Sequence, residues 1–330
     1  MKKKDFIAPF DKAKLIAQLP LFSEDIFCEA NASDKLFEKK EEEGHKYAQF
    51  YSLPSSNDFP GLIHKLTAFD CSVGEIAIQF FLLPNAKGTI WLIHGYFDHV
   101  GLYGDTIRRC LALGYSVFTF DMPGHGLSAG KIVFIDDFLD YVQVLQSLVI
   151  EMHKHLIKPW FAMGQSMGGA ILASHILTQK NPPWKKVVLF APLVRVLSWE
   201  KVRLLYQCAK PYRAYVKRTF NINSHRESFV VFQAQDPLQS PWVSSHWVGA
   251  LLAWEKKIQE WDAINLPLLI FQGNQDKTVD FRHNLPILLN KFRGSEVVIL
   301  EGAYHQLLNE SEIYQAQIWD KLTNYFECYS

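Results

Sequence analysis

From residue 88 onward the chain repeats one unit: a short, almost wholly apolar run followed by a helix-length amphipathic segment. The runs are TIWLIH (89–94), YSVFTF (115–120), WFAMG (160–164), KVVLFA (186–191), LPLLIFQG (266–273) and SEVVILEG (295–302). A strand that is apolar along its whole length has to be buried on both faces, and helices between such strands supply the cover. The repeat therefore specifies an α/β chain with a mostly parallel central sheet between helical layers. Helices are expected over 104–113, 134–155, 167–179 and 311–325. Upstream, IHKLTAF (63–69) and EIAIQFFLL (75–83) flank a turn from Cys71 to Gly74 and read as a hairpin.

The rhythm fails in two places, and these set the expected organisation. Residues 1–60 hold short apolar pieces and the charged run FEKKEEEGHK, with KLFEKKEEEGH readable as a helix that ends near Gly44. This is an N-terminal extension. Residues 194–255 are too long for an ordinary connection and have a helical texture, so they read as a cap inserted between sheet strands. The core is then 61–193 with 256–330.

Composition narrows the function classes. Apolar residues make up 48% of the 330, ample for a core and a greasy pocket, while Lys plus Arg equals Asp plus Glu at 34 each. That balance argues against a surface built to attract nucleic acid. The five cysteines are scattered, with no CxxC pair, as in a protein kept reduced in the cytoplasm. The basic start MKKKDF resembles the head of an export signal, but Asp11, Lys12 and Lys14 interrupt what would be its apolar stretch. No run has the uninterrupted apolar length that spans a bilayer, which leaves peripheral membrane contact open.

The chemistry begins at WFAMGQSMGGAILASHIL, where Gly164-Gln165-Ser166-Met167-Gly168 stands between an apolar strand and a helix. A sharp strand-to-helix turn strains the serine backbone and brings the chain close to itself, so it needs small neighbours; Gly164, Gly168 and Gly169 supply them. The turn exposes the Ser166 hydroxyl beside a helix N-terminus, whose N–H groups face negative charge developing on a substrate oxygen. A GxSxG pentapeptide alone is weak evidence; the strand before it and the helix after it carry the inference.

A serine hydroxyl needs a base to take its proton and a carboxylate to hold that base in the right tautomer. Asp276 follows LPLLIFQG one short loop beyond a strand end, and His305 follows SEVVILEG in the same way. The order serine, aspartate, histidine is that of a hydrolase triad on an open α/β sheet. Asp280 competes with Asp276 for the carboxylate role. Of the other histidines, His175 falls inside the helix after Ser166 and reads as structural, whereas for His225 and His246 in the insertion a substrate contact and a plain surface role are both open.

His94-Gly95 ends another strand, so the next residue, Tyr96, can aim its backbone N–H at the same oxygen as the N–H of Met167, giving a two-donor oxyanion hole. A competing reading makes His94 and His99, near Asp98, a zinc pair; it leaves the glycines around Ser166 without a purpose. Asp121-Met122-Pro123-Gly124-His125-Gly126 is a tight turn that shapes a loop beside the site. Neither GxGxxG nor GxxxxGK[ST] occurs where a nucleotide cofactor would need it. The insertion carries Arg195, Lys201, Arg203, Lys210, Arg213, Lys217, Arg218 and Arg226 against Glu200 and Glu227, interleaved with Trp199, Tyr206, Tyr212, Tyr215 and Phe220, and followed by Trp242, Trp247 and Trp254. Such a surface suits an anionic lipid or a phosphate head group, and equally a solvated basic helix face with aromatics in its own core.

The ordered set LIHGYFDH, FDMPGHG, GQSMGG, GNQD and GAYH resembles the monoacylglycerol lipase and bacterial lysophospholipase branch of the α/β-hydrolases, which includes relatives named serine aminopeptidases. The resemblance spans roughly residues 65–325. It implies the α/β-hydrolase fold with a variable cap, a Ser166–Asp276–His305 triad, Tyr96 and Met167 as oxyanion donors, and cleavage of fatty acyl esters with no metal or organic cofactor. Two departures stand out: Gln165 where the branch usually has histidine, and the bulky Tyr96-Phe97-Asp98-His99 where small residues and Glu-His are common. The expected function is hydrolysis of a lysophospholipid or monoacylglycerol ester through an acyl-enzyme. Short-chain ester, thioester and amide hydrolysis by the same triad are the alternatives. A haloalkane dehalogenase would carry a carboxylate at Ser166, and a binding module would not need all five positions. Oligomeric state is not legible in the chain.

Overall fold

The computed structural model describes residues 9–24, 27, 42–209 and 214–327. Its centre is an eight-stranded sheet made of β1 (Ile63–Cys71), β2 (Gly74–Leu82), β3 (Thr89–Ile93), β4 (Ser116–Phe120), β5 (Trp160–Gln165), β6 (Trp184–Phe190), β9 (Leu269–Gly273) and β10 (Glu296–Leu300). The order across the sheet is β1-β2-β4-β3-β5-β6-β9-β10. β1 and β2 form the expected hairpin, with Cys71 opposite Gly74, and β2 runs antiparallel to β4. From β4 to β10 all neighbours are parallel. The fold is that of an α/β-hydrolase.

Alternation along the central strands explains the two layers. Trp91 and Ile93 of β3 pack with Phe118 and Phe120 of β4 on one face, under helices Leu139–Met152, Met167–Thr178, Ser245–Glu260 and Phe281–Lys291. Ile90 and Leu92 face the other way with Val117, Phe161 and Met163, under helices Gly104–Ala112 and Glu312–Glu327. Every residue of β3, β4 and β5 is buried, as strands covered on both faces must be.

Two helices differ from expectation. The helix read as ending near Gly44 instead runs Glu42–Phe50, straight through that glycine. Glu42 and Glu43 occupy its first turn, where negative charge suits the helix dipole, and Glu43 accepts the Asp11 N–H at 2.6 Å. Gly44 is buried inside the helix along with Glu43 and Tyr47. The part of that reading before residue 42 lies outside the described residues. The helix expected from 134 begins at Leu139; Val133 has φ +48°, and the Asp137 carboxylate accepts the Leu139 N–H at 3.0 Å, which starts the helix there.

The N-terminal stretch is joined to the sheet. Phe22 N–H donates to Ala68 O at 2.7 Å and Ala68 N–H to Pro20 O at 2.8 Å, extending the sheet beyond β1. Phe10, Leu15, Tyr47 and Tyr51 bury themselves against the face that carries helix Gly104–Ala112. Between β6 and β9 the chain leaves the sheet to form helices Trp199–Ala209 and Glu227–Gln235 and an antiparallel ladder of β7 (Tyr215–Lys217) with β8 (Trp242–Ser244), a ladder the helical texture did not suggest. Helix Ser245–Glu260 then returns to the core, with Trp254 fully buried against Phe138 and donating to Ser174 Oγ at 2.8 Å.

Candidate active site

Ser166 sits between β5 and helix Met167–Thr178 with φ +52° and ψ −110°. A non-glycine residue there costs about 1–3 kcal/mol and persists only when its surroundings enforce it. Here they do: Ser166 N–H donates to Phe190 O at 2.8 Å, and Ser166 O accepts from Ala170 at 3.1 Å and Leu193 at 3.1 Å. The glycines permit the turn. A Cβ on Gly168 would lie 2.2 Å from Ile93 O, and one on Gly164 would lie 2.7 Å from the Gly168 carbonyl carbon, so backbone occupies the space any side chain would need.

Asp276 and His305 are brought together by the loops after β9 and β10. Gly273 lets those loops meet, since its missing Cβ would fall 2.4 Å from Ala303 O and 2.5 Å from Tyr304 O. Gln275 N–H donates to Ala303 O at 3.1 Å and Gly302 N–H to Asn274 Oδ1 at 2.8 Å, knitting the two loops. His305 Nδ1 lies 2.7 Å from Asp276 Oδ2. Asp276 also accepts from Gln272 Nε2 at 3.1 Å and, at Oδ1, from the N–H groups of Thr278 at 2.7 Å and Val279 at 3.1 Å. Burial pushes its pKa upward, but the nearby His305 and these hydrogen bonds outweigh that and hold it below the ordinary carboxylate value. An ionised Asp276 sets the proton of His305 on Nδ1, and in the neutral imidazole Nε2 is then the acceptor. Gln165, the residue before the serine, donates from Nε2 to His305 O at 2.9 Å and ties the two halves of the site. Asp280, the competing carboxylate, instead accepts from His283 N–H at the start of helix Phe281–Lys291.

The loop after β3 lies against the serine: a Cβ on Gly95 would be 3.4 Å from Ser166 Cβ. His94 has both ring nitrogens engaged by the backbone, Nδ1 at 2.8 Å from Gly95 O and Nε2 accepting the Met122 N–H at 2.8 Å. Burial, with His125 close by, holds it well below the usual imidazole range, so it is a neutral brace between two loops. His99 faces away to Asp236, with Nε2 at 2.8 Å from Oδ2. The two histidines thus have different partners, His94 the backbone of two loops and His99 the Asp236 carboxylate. In the glycine-rich turn Asp121 accepts the Val100 N–H at 2.7 Å and the Leu127 N–H at 2.8 Å, and a Cβ on Gly126 would strike its carboxylate at 2.1 Å.

A strained serine beyond one parallel strand, with a histidine–carboxylate pair beyond two others, is an arrangement shared across α/β-hydrolases, and the family is shown by the sequence. Residues 84–312 fit the family described as serine aminopeptidase, S33. The chain belongs to the S33 family of α/β-hydrolases, in its monoglyceride-lipase-like branch. It is 29% identical over 236 residues to the monoglyceride lipase homolog of Monkeypox virus, covering 68% of this chain and 84% of that protein. To a phospholipase of Bacillus subtilis it is 26% identical over 238 residues, covering 68% and 89%. The fold matches that of a soluble variant of monoglyceride lipase from Saccharomyces cerevisiae, crystallised with a substrate analog, at TM-score 0.69 and 18% identity over 80% of this chain and 95% of that one.

The remaining expected residues separate clearly. His175 is buried, lies 2.8 Å from Gln146 Oε1, and is pushed by burial down to about 4. His225 stacks on Tyr304 at 3.8 Å and lies 2.9 Å from the buried Glu310, while His246 pairs at the surface with Asp136 at 3.0 Å. The basic character of the insertion is partly neutralised: Arg195 pairs with Glu255 at 2.8 Å, Arg203 with Glu200 at 2.6 Å and Arg226 with Asp105 at 2.5 Å. Lys201 and Lys217 are exposed, and Lys210, Arg213 and Tyr212 lie outside the described residues. Sequence reasoning missed Tyr51, Gln233, Asp236 and Gln239, buried polar residues that bind the loop after β3 or one another. The one signal available was the spacing of three between Gln233, Asp236 and Gln239.

Proposed function

We propose that the protein hydrolyses a fatty acyl ester of a monoacylglycerol or lysophospholipid, with Ser166 as nucleophile, His305 as base and Asp276 as the residue that orients it. The observation that carries this reading is the His305–Asp276 pair at 2.7 Å, tied through Gln165 to the strained Ser166 turn. Ser166 Oγ attacks the ester carbonyl as His305 Nε2 takes its proton, and the backbone N–H groups of Tyr96 and Met167 stabilise the tetrahedral oxyanion. The proton passes to the leaving alkoxide and an acyl-enzyme remains; His305 then takes a proton from water as it attacks the acyl carbon, and returns that proton to Ser166 Oγ when the C–Oγ bond breaks and the fatty acid leaves.

The segment between β6 and β9 serves as the cap of this site and as its contact with lipid. Its exposed apolar residues include Leu204 at 62%, Leu205 at 56% and Ile222 at 71%, together with Phe220 and Trp242. The pairing of Arg195, Arg203 and Arg226 with carboxylates favours a neutral glycerol head group over a phosphate. No helix among the described residues is long and apolar enough to cross a membrane; contact is peripheral.

The test is one panel of monoacylglycerols, lysophospholipids, short nitrophenyl esters and aminoacyl amides, with Ser166→Ala as control. Serine-dependent turnover greatest on monoacylglycerol is expected. Unchanged hydrolysis by Ser166→Ala sinks the mechanism, and preference for short esters or amides keeps the triad and rejects the lipid.

A further inference from the structure

A backbone N–H can stabilise an oxyanion only if it is already aimed before charge develops. The loop Gly95–His99, which carries the Tyr96 N–H, does little of that aiming itself. Its internal turn has one backbone hydrogen bond, Asp98 N–H to Gly95 O at 3.1 Å. Phe97 sits at φ +73°, a left-handed conformation that a bulky aromatic residue does not hold unaided.

Core residues hold the Asp98 side of the loop, where the carboxylate accepts from Tyr103 Oη at 2.9 Å and Gln306 Nε2 at 3.0 Å, and Tyr96 Oη donates to Val133 O at 2.9 Å; the strained Phe97 carbonyl is held from the inserted segment. Gln233, Asp236 and Gln239 stand three apart and are buried to 4%, 2% and 5% exposure. Asp236 takes His99, and Gln233 approaches Asp98 Oδ1 at 3.5 Å. Gln239 donates from Nε2 to Phe97 O at 2.6 Å. A glutamine amide can present either end, and Arg218 fixes which: its Nη1 donates to Gln239 Oε1 at 2.6 Å, so the NH₂ must face Phe97. The same guanidinium lies 3.8 Å from the Phe97 ring centroid, closing a cycle of three residues around one strained peptide. Trp247 stacks on Tyr96 at 3.7 Å and 15°. Tyr51, from the N-terminal stretch, donates to Asp236 Oδ1 at 2.7 Å, the oxygen opposite the one that takes His99.

We infer that Gln239, oriented by Arg218, is a positioning residue for the reaction proposed above: it holds the Phe97 peptide in its left-handed conformation and so aims the Tyr96 N–H at the oxyanion. The inference rests on that reading. It makes the oxyanion hole the joint product of the sheet and the insertion, complete only while the insertion is seated on the loop.

The test uses the full chain, a soluble ester such as 4-nitrophenyl butyrate, and a trifluoromethyl ketone, whose adduct with the serine places an oxyanion on the same donors. Gln239→Leu removes the amide at similar volume. Gln239→Glu keeps the partner of Arg218 but sets an acceptor against Phe97 O, and is the second variant should the first fail to fold. A single oxyanion donor is worth about a hundred- to a thousandfold, and a misaimed one less, so kcat should fall about ten- to a hundredfold with KM little changed. The ketone inhibition constant should rise by the same factor as kcat/KM falls. Unchanged kcat in a folded variant overturns the inference. So does a fall in kcat with undiminished ketone affinity, because a merely structural loss does not act selectively on the oxyanion. If Ser166→Ala retains hydrolysis, the reaction itself is wrong; if wild-type turnover needs Ser166 and both Gln239 variants match it, only this inference fails.

Discussion

Replacing Gln165 by leucine tests whether the residue before the serine acts in the chemistry or only in alignment. Gln165 is fully buried, donates to His305 O at 2.9 Å, and its Oε1 has no partner among the described residues. The His305 carbonyl is not orphaned by the change, since Leu307 N–H also donates to it at 2.9 Å. The loss is therefore one neutral hydrogen bond, about 0.5–1.5 kcal/mol, reduced somewhat because leucine removes the unpaired Oε1. Near 1 kcal/mol, a protein of this size should melt about 2 °C lower. Were all of it expressed in the alignment of His305, kcat would fall about fivefold with KM unchanged. Gln165→His, which restores a ring N–H donor and the residue more usual in this branch, should lie closer to wild type. Thermal melts by circular dichroism and initial rates on 4-nitrophenyl butyrate measure both terms. A hundredfold loss of kcat would refute the argument by showing that the amide takes part in the reaction, and wild-type values throughout would show that the bond aligns nothing.

Tyr51→Phe removes the donor to Asp236 Oδ1 while leaving the Leu238 N–H at 2.8 Å on the same oxygen. A hydrogen bond to a buried carboxylate is worth about 1.5–3 kcal/mol, so the urea midpoint should drop by the corresponding amount, and an unmoved midpoint would deny the N-terminal stretch any part in holding the insertion. Asp276 is held below its ordinary value of 3.8 in the folded protein. Its ionised form therefore contributes stability that is whole above that value and is lost as pH falls through the lower folded-state pKa. Urea titrations from about pH 5 down to about pH 2.5 should show Asp276→Asn declining less steeply than wild type in that window, whereas parallel curves would mean the carboxylate is not held in this way.

The sheet and the core of the candidate site were legible because each rests on local chemistry. Apolar runs such as TIWLIH, repeated between helix-length segments, read as central strands. Gly164 and Gly168 announce a turn whose serine carries strain, and Asp276 and His305 each follow a strand by one short loop. What was illegible depends on which parts of the chain meet. Nothing near Asp280 in the sequence tells it apart from Asp276; the structure does so because Asp280 starts a helix while Asp276 receives four hydrogen bonds. Gly44 reads as a helix stop until Tyr47 and Tyr51 have a surface to pack on. The cations of the insertion read as a free basic surface because their partners Glu255 and Asp105 are 60 and 121 residues away.

The same logic accounts for the unusual loop Tyr96-Phe97-Asp98-His99. As a sequence it is a bulky version of a motif that more often has small residues, which suggests only a narrower entrance. In the structure each side chain has a contact from the insertion: Trp247 on Tyr96, Arg218 on Phe97, Gln233 near Asp98 and Asp236 on His99. Small residues would give the insertion little to grip, and the loop would have to hold its own geometry. Large ones trade backbone strain at Phe97 for side-chain anchorage, so the substitutions in the loop and the buried polar residues three apart in the insertion are two halves of one arrangement. With the function proposed above, the insertion does not vary independently of the loop it grips.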